Sequence, residues 1–321
     1  MATKPPVEVP QGAIRFNTDS QKLEFFAQDQ WWQMATENTI TTSQRGCWTA
    51  GNTPSSPNGT NMMQYVQINT LGNTQDFGDL TYSTRIGSSF SSATRGIAAG
   101  GWSPGNTNTC KWEYASLGNA VSFGSLNRGD ASLCAACGNQ ERGFIGGGYP
   151  SNDSISVKVI SSGGNFTDFG NLVASRQGSY GGIASRTRGL FLTNDDGQQY
   201  ITMASTGNAV SFGSLANGTA ATGASNATRG LWMGIGPNSK VDYITIATTG
   251  ASTEFGDSNV SESYLGCMAS PTRALQGTGA YATNAIVYYN IATTGNYVDF
   301  GDAVNPRGAD SGSSNAHGGL G

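Results

Sequence analysis

The sequence predicts an all-β protein: a six-bladed β-propeller of four-stranded antiparallel blades, preceded by a small β-hairpin module. Three observations predict it. A Phe-Gly pair recurs at Phe77, Phe123, Phe169, Phe212, Phe255 and Phe300, at intervals of 46, 46, 43, 43 and 45 residues. An Arg-Gly pair recurs in step at Arg45, Arg95, Arg142, Arg188 and Arg229, with Arg273-Ala274 as a sixth copy and His317-Gly318 as a degenerate seventh. The stretches between them are short, glycine-rich and strand-like, and a period in the forties built of strands and turns suits one propeller blade.

The elements follow in chain order. Residues 1–36 form the N-terminal module. Ile14 and Phe16, then Leu23 and Phe25, alternate around the turn cluster Asn17-Thr18-Asp19-Ser20, which predicts a hairpin. Trp31 and Trp32 open a third short strand. So small a sheet cannot bury a core alone. These six apolar residues are therefore expected to anchor the chain or join copies of it.

Residues 37–321 form the propeller. The copy from Gln177 to Leu215 shows one blade most clearly. A small-residue strand (178–185) leads through Arg186-Thr187-Arg188 to an apolar strand (189–193). The loop Asn194-Asp195-Asp196-Gly197 then leads to a third strand, and Gly207-Asn208 turns into the fourth. Both residues of that turn tolerate positive φ. The small-residue stretches SSFSS, SLCAAC, GGIAS, TAATGAS and LGCMAS belong on the innermost strands, where blades converge and side chains have least room. The repeated Phe is expected between neighbouring blades, where an aromatic ring buries much area. The first unit has strands at about 46–51, 64–70 and 75–80 and a weak inner strand, while Arg307 to Asn315 matches an inner strand. The C-terminal strand should therefore complete the first blade and leave no open edge.

Composition excludes several classes. Charged residues make up 12% of the chain and the net charge is −4, so the clustered cations that nucleic acid needs are missing. No stretch is apolar and long enough to span a bilayer, so no membrane insertion is expected. The start, Met-Ala-Thr-Lys-Pro-Pro, has no apolar signal region, which predicts synthesis in a cytoplasm. Cys47 stands where other copies carry Ile97, Phe144, Leu190, Leu231 and Leu275, and so reads as a core residue. Cys134 and Cys137 would point to opposite faces of a strand, and no second pair completes a zinc site. The expectation is no metal and no cofactor. The repeated arginines are expected to pair with backbone carbonyls or with carboxylates such as Asp76, Asp168 or Asp299. Asn194 to Gly197 reads as a turn rather than a calcium site, and Arg128-Gly129-Asp130 as a chance tripeptide at a blade junction.

One set of turns hardly varies between copies, whereas the loops after the glycine-rich strands do. The varying set includes GWSPGNTNT, GYPSNDS, GPNSK and GAYATNA. A scaffold repeats what folding needs and varies what it presents, so the variable face is the expected binding face. Trp102, Tyr149 and Tyr281, with Asn106, Asn152 and Asn238, suit sugar recognition by stacking and hydrogen bonding. No catalytic residues are expected. With His317 as the single histidine, His-based triads are excluded, and only Asp130, Glu262 and Asp310 are carboxylates near inner-strand starts.

Two resemblances add to this reading. Over about residues 40–321 the order of strands and turns resembles the kelch-type propeller repeat, with Phe in place of the usual fourth-strand Trp and a double glycine only at Gly100-Gly101 and Gly146-Gly147. The likeness is one of architecture. The N-terminal pattern, with Gly12, Arg15, Asn17, Leu23, Glu24 and Trp31 as matching positions, resembles a short module of bacteriophage tail-fibre and virion proteins. The Thr-Thr-Gly-Asn and Asp-Phe-Gly-Asp phrases are similar to repeats in structural proteins of marine and cyanobacterial phages. These resemblances imply a non-enzymatic virion structural protein, a tail-fibre or appendage component that is a likeness-based homotrimer. Its N-terminal module would meet other virion proteins, and its propeller a host-surface glycan or receptor. Capsid or neck decoration, or tail assembly without a host ligand, is the alternative; a lectin or glycosidase propeller is a second.

Overall fold

The computed structural model describes residues 9–18, 22–33 and 43–320, apart from the short segments 103–105, 130–131, 151, 177, 194–196, 219–220, 236–238, 260–264 and 278–283. The chain divides into two units, Met1–Thr42 and Ser43–Gly321. The described regular structure is β throughout except for one 3-10 turn, Gly318–Leu320.

The first unit is a three-stranded antiparallel sheet of β1 (Ile14–Asn17), β2 (Lys22–Ala27) and β3 (Gln30–Gln33). Ile14 faces Phe25, Phe16 faces Leu23, and Phe25 faces Trp32, so these five share one side of the sheet. Ile14 and Phe16 are 63% and 59% exposed on that side. The opposite side is self-contained. Phe26 meets Trp31 edge-on at 5.3 Å, Arg15 lies 4.1 Å from the Trp31 ring centroid, and Arg15 and Asn17 both donate to the buried Glu24. Asn17 first, then Arg15, hold the Glu24 carboxyl below the usual carboxylate range against the effect of burial. Trp31 thus stands apart from the other five apolar residues of the module.

The second unit contains six four-stranded antiparallel sheets. The first holds β4 (Arg45–Thr49), β5 (Thr60–Gln67) and β6 (Gln75–Thr84). The second holds β7 (Ser88–Ser91), β8 (Arg95–Ala99), β9 (Asn108–Glu113) and β10 (Val121–Ser125). The third holds β11 (Ala135–Gly138), β12 (Arg142–Gly146), β13 (Asn152–Val159) and β14 (Thr167–Arg176). The fourth holds β15 (Gly178–Ala184), β16 (Arg188–Thr193), β17 (Gly197–Thr202) and β18 (Val210–Gly213). The fifth holds β19 (Thr222–Ser225), β20 (Arg229–Ile235), β21 (Lys240–Thr245) and β22 (Thr253–Asp257). The sixth holds β23 (Cys267–Ala269), β24 (Arg273–Gln276), β25 (Ala285–Asn290) and β26 (Val298–Asp302). The last strand, β27 (Ser311–Ser314), pairs with β4 and so completes the first sheet, as the sequence predicts.

The core lies between the sheets. Each repeated Phe is buried in an apolar cluster that joins its own sheet to another, as Phe77 joins Cys47 and Met63 to Trp112 and Tyr114. Phe300 does the same between the sixth sheet and the first, with Trp48, Val66 and Ile68. All five cysteines are buried and none forms a disulfide. Burial pushes the Cys110 thiol up to about 11 and the Cys267 thiol up to about 12, which keeps them unreactive.

The repeated polar residues tie sheet to sheet. The guanidinium of Arg45 donates to the Tyr114 carbonyl at 2.5 Å, Arg95 to Ile160 at 2.8 Å, and Arg142 to Met203 at 3.2 Å. Arg188 donates to Ile246 at 3.0 Å, Arg229 to Ile291 at 2.9 Å, and Arg273 to Ile68 at 3.0 Å. The sixth of these bonds returns to the first sheet. Carbonyls rather than carboxylates are the common partners; among the described residues, Arg95 alone of the six adds an ion pair, with Glu113 at 2.9 Å.

The Gly-Asn turns make a second set of ties. Gly118 N–H donates to the Phe77 carbonyl at 2.9 Å, and Asn119 Oδ1 accepts from Asp79 N at 3.0 Å. Gly72 and Asn73 repeat this with Phe300 and Asp302. The Phe-Gly glycine makes the approach feasible. Gly78 has φ of 139°, and a Cβ there would lie 2.6 Å from the Gly118 carbonyl oxygen.

Closure of the first sheet carries additional bonds. Arg307 is buried and donates to the carbonyls of Ala50 (2.7 Å) and Met62 (2.6 Å). Asp310 Oδ1 accepts from Gly266 N at 2.9 Å, while the Gly266 carbonyl accepts from the Trp48 indole at 2.8 Å. Gly266 of the sixth sheet's approach is thus held by both ends of the closing pair. Burial pushes the Asp310 carboxyl up to about 6, outweighing the opposing charge of Arg307.

Two stability predictions follow from these bonds. Arg229→Ala removes a charged donor from two carbonyls and should lower stability by about 1–3 kcal/mol in urea unfolding. Asp310 concerns pH. The folded state keeps a proton on it between its ordinary value of 3.8 and about 6, while the unfolded chain has lost it. Its contribution to stability therefore falls as pH rises through that window. The difference in melting temperature between the native chain and Asp310→Asn should shrink from about pH 4 to about pH 6.5; a flat difference would refute the assignment.

Candidate binding site

At one end of the second unit lie the Arg-Gly and Gly-Asn turns, whose polar groups are occupied by the bonds between sheets. At the other end lie the loops that join second to third strands, together with the links between sheets. Two of those loops place an aromatic residue in the same way. In the second sheet, Gly100 and Gly101 have φ of 67° and 114°, and the Trp102 N–H then reaches the Arg85 carbonyl at 2.8 Å. A Cβ on Gly101 would sit 3.0 Å from that same carbonyl oxygen, so glycine is required there. In the third sheet, Gly147 and Gly148 have φ of 74° and 136°, and Tyr149 N–H reaches the Ser132 carbonyl at 2.9 Å.

The two aromatic rings meet. Trp102 and Tyr149 have centroids 5.4 Å apart and planes tilted by 48°. Packing has not hidden them: Trp102 is 39% exposed and Tyr149 43%. The Arg85 guanidinium lies 5.4 Å from the centroid of the Trp102 ring. Arg85 belongs to the link before β7, so the cluster draws on the first link, the second sheet and the third sheet.

The other predicted contact residues fall differently. Asn106 is buried; its amide nitrogen donates to the Gly100 carbonyl at 3.1 Å and its Oδ1 accepts from Asn108 N at 3.0 Å. Asn152 Oδ1 accepts from Ser154 N at 2.7 Å in the equivalent position. Both shape the start of a third strand. Asn238 and Tyr281 lie outside the described residues, as do Asp130, Glu262 and Asn194 to Asp196. Asp310 lies in the closing contacts described above. Arg85 was not legible as a site residue, because it sits outside the repeated phrases.

Strands β7, β11, β15, β19, β23 and β27 line a further, partly open cavity of about 60 Å³, with Ser89, Ala136, Gly182, Ala224, Met268 and Ser313 among its lining residues. That is far less than a small-molecule site needs. Several lining hydroxyls are already used: Ser91 donates to the Ser314 carbonyl at 2.7 Å, and Ser311 to Ser89 at 2.7 Å. His317 also lines the cavity. Its Nδ1 accepts from Gly319 N at 3.1 Å, so Nε2 carries the hydrogen and donates to the Ser91 carbonyl at 2.9 Å. Burial lowers its pKa, consistent with a neutral ring.

No family model matches the chain, and no curated protein is similar to it.

The aromatic cluster makes a separable prediction. Trp102→Ala and Tyr149→Ala remove half-exposed rings, so the paired substitutions should shift the melting temperature little in a thermal unfolding experiment.

Proposed function

We propose that the six sheets are the blades of a six-bladed β-propeller and that the chain is a non-enzymatic binding protein of a tailed-phage virion. It is a tail-fibre or appendage component that touches a host-surface glycan through Trp102 and Tyr149. The observation that carries this reading is the exposed aromatic pair itself, built by double-glycine loops of neighbouring sheets. Adjacent tilted rings with an indole N–H and a phenol at their edge suit a sugar ring, which offers C–H groups to the faces and hydroxyls to the donors. The propeller assignment is supported by the bonds that run from each sheet to the next and from the sixth back to the first.

The N-terminal sheet supports assembly. Ile14, Phe16, Leu23, Phe25 and Trp32 share one largely exposed side, and three strands hold too little core to leave it in water. The occupant is further copies of the same sheet, in a homotrimer, with other virion proteins beyond it. The virion reading itself rests on the resemblance of this module, and places the protein in the virion after synthesis in a host cytoplasm.

The test combines three measurements on the full chain. Light scattering should give a trimer, and Phe16→Asp with Trp32→Asp should give a monomer that keeps the melting transition of the second unit. The isolated protein should bind host cells saturably, and Trp102→Ala should lower that affinity at least tenfold. Immunogold label should fall on tail fibres. Label on the head or neck without cell binding would instead make the protein a decoration with no host ligand.

A further inference from the structure

We propose that the saccharide bound at the Trp102–Tyr149 cluster is acidic, carrying a carboxylate that Arg85 receives. This deepens the binding reading above and rests on it. The inference starts from an arginine with nothing to do. Arg85 is half-buried, its Nε is enclosed without a hydrogen-bond partner, and its guanidinium makes no ion pair among the described residues. Its one described side-chain interaction is with the Trp102 ring. A guanidinium loses hydration in such a place and normally recovers it through hydrogen bonds.

The other link arginines show the contrast. Arg307, in the link before β27, spends its guanidinium on the carbonyls of Ala50 and Met62. Arg128, in the link before β11, donates to the carbonyl of Ile145 at 3.4 Å. Those two fasten a link to the following sheet. Arg85 fastens nothing, so the structural use of a link arginine does not account for it. Arg128 keeps that bond although its Nε and Nη1 are enclosed and unpartnered. No described carboxylate lies within ion-pair distance of either, in a chain whose net charge is −4.

The chemistry of the ligand follows from this arrangement. A guanidinium presents a planar fork that fits a carboxylate with two parallel hydrogen bonds. Cation–π contact with Trp102 fixes the guanidinium next to the surface on which a sugar would stack. A uronic-acid residue supplies both parts: a pyranose ring for the aromatic pair and a carboxylate for Arg85. A neutral sugar would leave the guanidinium as it is.

The test uses trigalacturonate and galactotriose, which differ chiefly in their carboxylates, with titration calorimetry on the full-length protein. The native chain should bind trigalacturonate at least tenfold more tightly than galactotriose. Arg85→Gln should erase that preference without changing the melting temperature, and Trp102→Ala should remove binding of both. Equal affinity for the two sugars, or a preference that survives Arg85→Gln, would overturn the acidic-ligand proposal while leaving the glycan reading intact. Binding of neither sugar would overturn it too; host-cell binding lost in Trp102→Ala but kept in Arg85→Gln would then still uphold the glycan reading. Host-cell binding kept in both variants would overturn the glycan reading itself.

Discussion

The hydrogen bond from an arginine of one sheet to a backbone carbonyl of the next is the interaction on which the second unit depends. Four-stranded sheets with polar outer edges have no inherent reason to pack side by side at a fixed angle. Apolar clusters around the repeated Phe supply attraction, but burial is non-directional. The six arginines supply direction. Each places a charged donor on a carbonyl at the end of a neighbouring third strand, from Arg45 on Tyr114 to Arg273 on Ile68. The Phe-Gly and Gly-Asn turns repeat the constraint on the fourth strands. Because the same geometry must hold at every junction, the same residues recur in every copy.

The final junction has to be made by chain ends that are distant in sequence. Strand β27 adds to β4, Arg307 fixes the link to the first sheet, and Asp310 with Trp48 holds Gly266 of the sixth. A buried carboxylic acid and a buried guanidinium are costly in such a place. Here both are committed to backbone groups, Arg307 to the carbonyls of Ala50 and Met62 and Asp310 to the N–H of Gly266. The proposed binding site inherits its geometry from the same junctions. Trp102 and Tyr149 come from different sheets, and each backbone is held by the link before its own sheet. A shift between the second and third sheets would separate the rings.

Much of the fold was legible because it is repetitive. The Phe-Gly period marked the fourth strands, the Arg-Gly period marked the second, and the match of 307–315 to an inner strand located the closing strand. The partners of the repeated arginines were not legible: carbonyl and carboxylate remained equal alternatives until the third-strand ends were seen to approach. The site was legible in part. Gly-Gly before Trp102 signalled a special loop, yet nothing in the sequence says that a ring 47 positions later, Tyr149, touches it. Asn106 and Asn152 had the composition of ligand residues but sit at positions where a third strand needs a side-chain cap for its first N–H groups. Arg85 stood outside the repeated pattern, which is why it escaped notice.

Native-state hydrogen exchange of the closing strand tests the central claim most directly. If junctions between sheets, the last included, hold the unit together, the amides of Ser311 to Ser314 that pair with β4 should exchange only in the global unfolding reaction. Their protection should then match that of Arg45 to Thr49. Exchange of the closing strand many-fold faster than β4, in the manner of a fraying chain end, would contradict the account.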